Sequence, residues 1–218
     1  MMRVILPAIM LWILFVNSNS SGLCNNTERD RMKDTTSEKI IIDSDYNLDE
    51  ALKGITIPPE IKRNLVLINV QYYSFDNKLH QGQLVVHKLV SEDLIGIFRI
   101  IKDKKFPVEK VIPIVHYNWD DEKSMEDNNT SAFNYRFIAG TKKLSNHSYG
   151  TAIDINPLYN PYIRKDLHQP VGSVYNPKKK GTLTENSFLV KAFKSSGWQW
   201  GGDWKDRKDY QHFEKPIE

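Results

Sequence analysis

The sequence predicts an α+β domain: a small, mainly antiparallel sheet with flanking helices. Two apolar, β-branched runs at 65–73 and 82–87 are separated by the turn-forming Phe75-Asp76-Asn77-Lys78. Leu94, Ile95, Ile97, Phe98, Ile100 and Ile101 recur at helical spacing behind Ser91, a residue able to cap a helix that ends by Lys105, ahead of Pro107. At 151–156, Ala152, Asp154 and Asn156 alternate with Thr151, Ile153 and Ile155, as on a strand whose branched face meets the core.

The 218 residues suit one domain plus extra segments, and a 40% hydrophobic share is ample for a core. The 30 Lys and Arg nearly balance 27 Asp and Glu. A formal charge of +3 is too weak a field to imply a nucleic-acid partner.

The chain begins with Arg3, an apolar run from Val4 to Val16 interrupted by Pro7, and the small polar tract Asn17-Ser18-Asn19-Ser20-Ser21. The run is shorter than the ~20 residues a membrane span needs, so residues 1–20 read as a secretory signal peptide, with a retained anchor as the alternative. The single cysteine, Cys24, excludes an intramolecular disulfide; it reads either as a free thiol or as a lipidation site, although Leu23 before it is bulky for a lipoprotein signal. Residues 21–58 are polar and read as a tether, with a helical turn near 49–53, and the folded domain is expected from 59, after Pro58.

Further along, Val111-Ile112-Pro113-Ile114-Val115-His116 suggests a third strand. The polar stretch 120–131 follows, then Arg136, whose planar fork of donors could clamp a substrate oxygen or simply stand at the surface. The insert 160–184, with Pro161, Pro170, Pro177 and Lys178-Lys179-Lys180, reads as a long surface loop over a cleft, its lysines either solvated or drawing an anionic polymer. Residues 187–196 read as a helix ending at Gly197.

Chemistry concentrates in two places. His147 and Asp154 flank Gly150, which permits the bend that brings them together, and Asp209-Tyr210-Gln211-His212 offers a second imidazole and a second carboxylate. Three such ligands would leave a position for water, as catalytic zinc sites do. Two chance polar loops are the alternative. Glu214, two past His212, could support it or be a solvated terminal carboxylate, and Trp200 and Trp204 could wall the cleft or pack in the core. His80, His87, His116 and His168 lack partners at ligand spacing and read as strand or loop residues.

The chain resembles the M15 family of zinc peptidases, which comprises D-alanyl-D-alanine carboxypeptidases and L-alanyl-D-glutamate endopeptidases. Ser145, His147, Gly150, Ala152 and Asp154 meet the pattern Ser-x-His-x-x-Gly-x-Ala-x-Asp, and the tryptophan-glycine segment at 198–204 with Asp209 and His212 meets its closing pattern. The resemblance spans roughly 60–218 and takes in 120–136. It implies the zinc D-Ala-D-Ala carboxypeptidase/hedgehog-like fold, zinc held by His147, Asp154 and His212, and Asp209 as general base. It further implies Arg136 as a substrate-orienting cation, with Ser145 and Trp204 expected beside the substrate. Aspartate at 209, where many members carry glutamate, favours the endopeptidase-like branch of the family.

The expected protein is a monomeric, exported, bacterial-type zinc peptidase acting on peptidoglycan peptides. Membrane contact is expected only through an uncleaved signal or a lipidated Cys24. A metal-stabilised wall-binding module without turnover is the competing class. Sequons at Asn128, Asn129 and Asn146 lie in or beside the expected cleft, where a glycan at Asn146 would obstruct His147.

Overall fold

A computed structural model describes residues 38–217, so the expected signal peptide and Cys24 lie outside the described residues. The fold is α+β, as the sequence predicts. Its strands, however, divide among several small sheets rather than forming one.

The chain enters as β1 (Ile41–Ile42) and α1 (Leu48–Ala51), which Asn47 and Glu50 close with a reciprocal capping box. Then come α2 (Pro59–Lys62), β2 (Leu65–Tyr73) and β3 (Leu79–His87). The last two form the expected hairpin, and β1 adds to β3 in parallel. The described part of the tether, 38–58, is therefore built into the domain. Ala51 and Leu52 are buried with Ile61, Leu65 and Phe133, so a stretch that looks polar on average carries the few apolar residues needed to dock.

α3 (Ser91–Asp103) turns Leu94, Ile97, Phe98 and Ile101 onto the β2–β3 sheet, opposite Ile68, Val70 and Tyr72. Burying each such side chain contributes roughly 1.5–3 kcal/mol. Ser91 is not the cap expected of it. A 3-10 turn at Lys88–Val90 feeds the helix directly, and the Ser91 hydroxyl donates to the Lys88 carbonyl. The expected third strand is also shorter. Only β4 (Lys110–Val111) is extended, and Pro113 starts a 3-10 turn at Ile114–Tyr117.

Next, α4 (Asp121–Glu126), capped by Asp120, leads to β5 (Asn129–Thr130), which pairs with β4 in parallel. β6 (Ala152–Asp154) follows. The insert is not a plain loop. β7 (Tyr162–Arg164) and β8 (Leu167–Gln169) form a hairpin, and Asn160 and Leu183 at its base are fully buried. α5 (Phe188–Ser195) is the expected helix, and, capped by Ser187, it packs Leu189, Val190 and Phe193 into the main core. β9 (Gln199–Trp200), β10 (Lys208–Asp209) and β11 (His212–Glu214) complete the chain. β6, β11 and β9 make one sheet, and β10 joins the hairpin through β7. No helix among the described residues is long and apolar enough to cross a membrane.

Candidate metal centre

The sheet register brings the two halves of the motif together, because β11 pairs antiparallel with β6 and sets His212 directly opposite Asp154. Opposed residues on adjacent strands lie about 5 Å apart, so their side chains share one spot. Alternation on β6 sends Ile153, and Ile155 beyond it, into the core, leaving Asp154 on the other face beside the small Ala152. His147 arrives on a 3-10 turn, Asn146–Tyr149, that ends at Gly150 with φ +70°. A Cβ at Gly150 would fall 2.6 Å from the His87 nitrogen, so only glycine lets this turn pass so close to β3.

Three lone-pair atoms converge. His147 Nε2 lies 3.2 Å from Asp154 Oδ2, and His212 Nδ1 lies 2.9 Å from Asp154 Oδ1 and 3.2 Å from His147 Nε2. One ligand atom from each residue falls within 4.8 Å of the others, and all three residues are buried. The far ring nitrogens are occupied: His147 Nδ1 donates to the Ala132 carbonyl, and His212 Nε2 faces Glu214 Oε2 at 3.0 Å. Such outer bonds fix which nitrogen of each imidazole is left for a ligand.

The pocket is also tuned for positive charge. Burial pushes the Asp154 carboxyl up, but the facing His147 and His212 imidazoles outweigh it and hold it well below the usual carboxylate range. Burial alone would lower His212; hydrogen bonds to Asp154 and Glu214 reverse this and raise it to about 10. A divalent cation meets the same two demands, charge and converging lone pairs, so the donor set fits zinc.

Asp209 sits on β10, and a Cβ at Gly201 would lie 2.5 Å from its carbonyl oxygen, so glycine at 201 is what admits that strand. Its Oδ1 is shut off from water and has no hydrogen-bond partner. Burial raises its pKa to about 7; the His212 charge opposes the rise and the Asp154 charge adds to it. A carboxyl near neutrality can both take and return a proton.

Arg136 donates from Nη2 to Asp121 Oδ2 at 3.0 Å, while its buried Nε has no partner. Its backbone is stitched to the His147 turn, the carbonyl accepting from Ser145 N and Ser148 Oγ. Trp204 lies with its ring 5.6 Å from the His212 ring, under the Arg207 guanidinium. Trp200 is instead core, 3% exposed, with its indole N–H on the Tyr210 carbonyl. Ser145 is turned inward as well: its hydroxyl caps the His147 turn by accepting from His147 N at 3.3 Å, which draws it away from the substrate role expected of it. Glu214 is far from a solvated terminal carboxylate, since it bridges His212 and Asn146.

Sequence reasoning passed over Asn146, Asp121 and Asn156. Asn156 is fully buried with φ +47°, and its side chain ties Glu109, Pro107 and Gly181 together behind β6. The sequons at Asn128 and Asn129 are buried structural amides, bonded to Leu158 N and to Ile112.

A peptidase M15 family model, described as D-alanyl-D-alanine carboxypeptidase, matches residues 139–215, the stretch that supplies His147, Asp154, Asp209 and His212. Over this segment the chain is similar to the M15 peptidases. The match supports a peptidase acting on cell-wall peptides, and M15 peptidases are zinc enzymes. No solved structure matches the chain.

Proposed function

We propose that this protein is an exported zinc peptidase of the M15 type that hydrolyses peptidoglycan stem peptides, as an L-Ala-D-Glu type endopeptidase or a D-Ala-D-Ala type carboxypeptidase. The carrying observation is the convergence of His147, Asp154 and His212 in one buried cluster, whose charges also act on Asp209, a carboxyl with a buried, unpartnered Oδ1 and a pKa raised by burial. His147 Nε2, His212 Nδ1 and an Asp154 oxygen would hold the metal. Bound zinc would acidify a water and polarise the scissile carbonyl.

The remaining work falls to the chain. Asp209 accepts the proton from the attacking water and hands it to the leaving amine, so that one water adds across the peptide bond. Arg136, anchored through Nη2 to Asp121, is held as the cation that orients the substrate. Trp204 walls the entrance next to His212. Asp121 in turn accepts from Asn134 Nδ2 at 3.0 Å, which steadies the arginine anchor.

A carboxyl that burial raises to about 7, coupled to the charges of the converging ligand set, is what favours turnover over a passive wall-binding module. Aspartate rather than glutamate at 209 favours the endopeptidase. Incubating the purified protein with defined muropeptides, with and without a chelator, reads the outcome by product mass. Chelator-sensitive cleavage between alanine and glutamate supports the endopeptidase, and loss of terminal alanine the carboxypeptidase. Unchanged substrate in zinc-loaded samples would sink both.

A further inference from the structure

We infer that Asn146 is a positioning residue of the metal centre, acting on His212 through Glu214. The inference rests on the zinc reading above and deepens it. Asn146 immediately precedes His147, and Glu214 lies two residues past His212. The Asn146 amide donates from Nδ2 to Glu214 Oε2 at 2.6 Å, and the same oxygen faces His212 Nε2 at 3.0 Å. A single carboxylate oxygen thus joins the turn that carries one histidine to the strand that carries the other.

Neutral imidazole has one proton and two nitrogens, and a metal takes only the nitrogen that lacks the proton. Holding the proton on Nε2 leaves the lone pair on Nδ1, the nitrogen that faces Asp154 and His147. Glu214 supplies the acceptor that selects this tautomer, but it is a partly exposed side chain able to swing into water. Asn146 prevents the swing. Its own backbone is pinned, because its carbonyl accepts from both the amide and the hydroxyl of Thr151 at 3.2 Å. Its side chain therefore has a fixed origin from which to hold the glutamate.

Loss of an outer partner of a metal-binding histidine typically lowers metal affinity about 10- to 100-fold. Zinc affinity of the full chain, measured by competition with a chromophoric chelator, separates orientation from charge. Asn146→Asp keeps the shape but sets a carboxylate against Glu214, and it is expected to weaken zinc binding by about 10- to 100-fold. Asn146→Ala, which only releases the glutamate, should weaken it by about tenfold. Glu214→Gln removes the charge yet keeps a carbonyl oxygen able to accept both bonds, so it should lose less than either. The Co2+ absorption spectrum of each variant reports the ligand field directly, and circular dichroism of the metal-free proteins confirms that they fold.

The order wild type, Glu214→Gln, Asn146→Ala, Asn146→Asp supports the assignment. Asn146 variants that bind zinc and Co2+ like wild type overturn it, as does an order in which Glu214→Gln alone is impaired, since charge and not placement would then be what matters. A wild-type protein that binds no zinc overturns the metal-centre reading itself.

Discussion

Two buried histidine clusters in this protein share their ingredients and differ in arrangement. At the candidate centre, the carboxylate of Asp154 lies between two imidazoles and all lone pairs converge. At the other, a single imidazole lies between two carboxylates. His80 Nδ1 is 3.0 Å from Asp43 Oδ1, and its Nε2 is 3.3 Å from Asp76 Oδ1, on the opposite edge of the ring. Tyr72 stacks on His80 and donates its hydroxyl to Asp43. Burial and the Asp43 bond both push that phenol above its ordinary range. Carboxylates on opposite ring edges cannot share one ion. Among the described residues, only His147, Asp154 and His212 form a group that could hold a metal. The His80 cluster is a clasp that ties the end of β1 and the β2–β3 turn to the sheet. Convergence, and not the residue types, separates a ligand set from a fastener.

The largest expected effect tests the convergent cluster. His147→Ala should lose bound zinc, read by metal analysis after gel filtration, and reduce muropeptide cleavage to background. Next is Asp209→Asn, which should retain zinc but lower the turnover rate by about 10²- to 10⁴-fold. In chelator-treated protein the same change should raise the unfolding midpoint in a pH-dependent way. The folded carboxyl titrates near 7 against about 4 when unfolded, so its ionisation costs the fold progressively more from pH about 4 to about 7 and a constant amount above. The gain should therefore be absent below pH about 4, grow to neutrality and then level. Activity equal to wild type would remove Asp209 from the mechanism.

The smallest effect on chemistry belongs to the clasp. His80→Ala should destabilise by about 1–3 kcal/mol in urea unfolding, since Asp43 and Asp76 lose a buried partner, while zinc content and turnover stay at wild-type levels. A loss of zinc in this variant would erase the distinction between the two clusters.

Much of this is legible along the chain. The β2–β3 hairpin, α3 and α5 follow from apolar spacing, because burial on one face imposes a period that neighbours in sequence display. The candidate ligand set is legible too, through motif residues on either side of Gly150 and at the C-terminal end. Illegible are β1, the β7–β8 hairpin and the inward turn of Ser145. Short strands of two or three residues carry no period, and a serine before a turn can equally face solvent. The partners of His80 escape such reading because Asp43 lies 37 residues away in a stretch that looks polar.

By itself, then, the sequence determined the longer elements and pointed to His147, Asp154, Asp209 and His212 as the candidate site, because periodic segments and the two motif halves each leave a local pattern. Only the tertiary structure decided which lone pairs meet. The register of β11 on β6 sets His212 opposite Asp154, Gly201 admits Asp209, and Asn146 reaches Glu214 across 68 residues. Those contacts depend on how separate segments pack, and spacing along a chain does not encode the angle at which two segments cross.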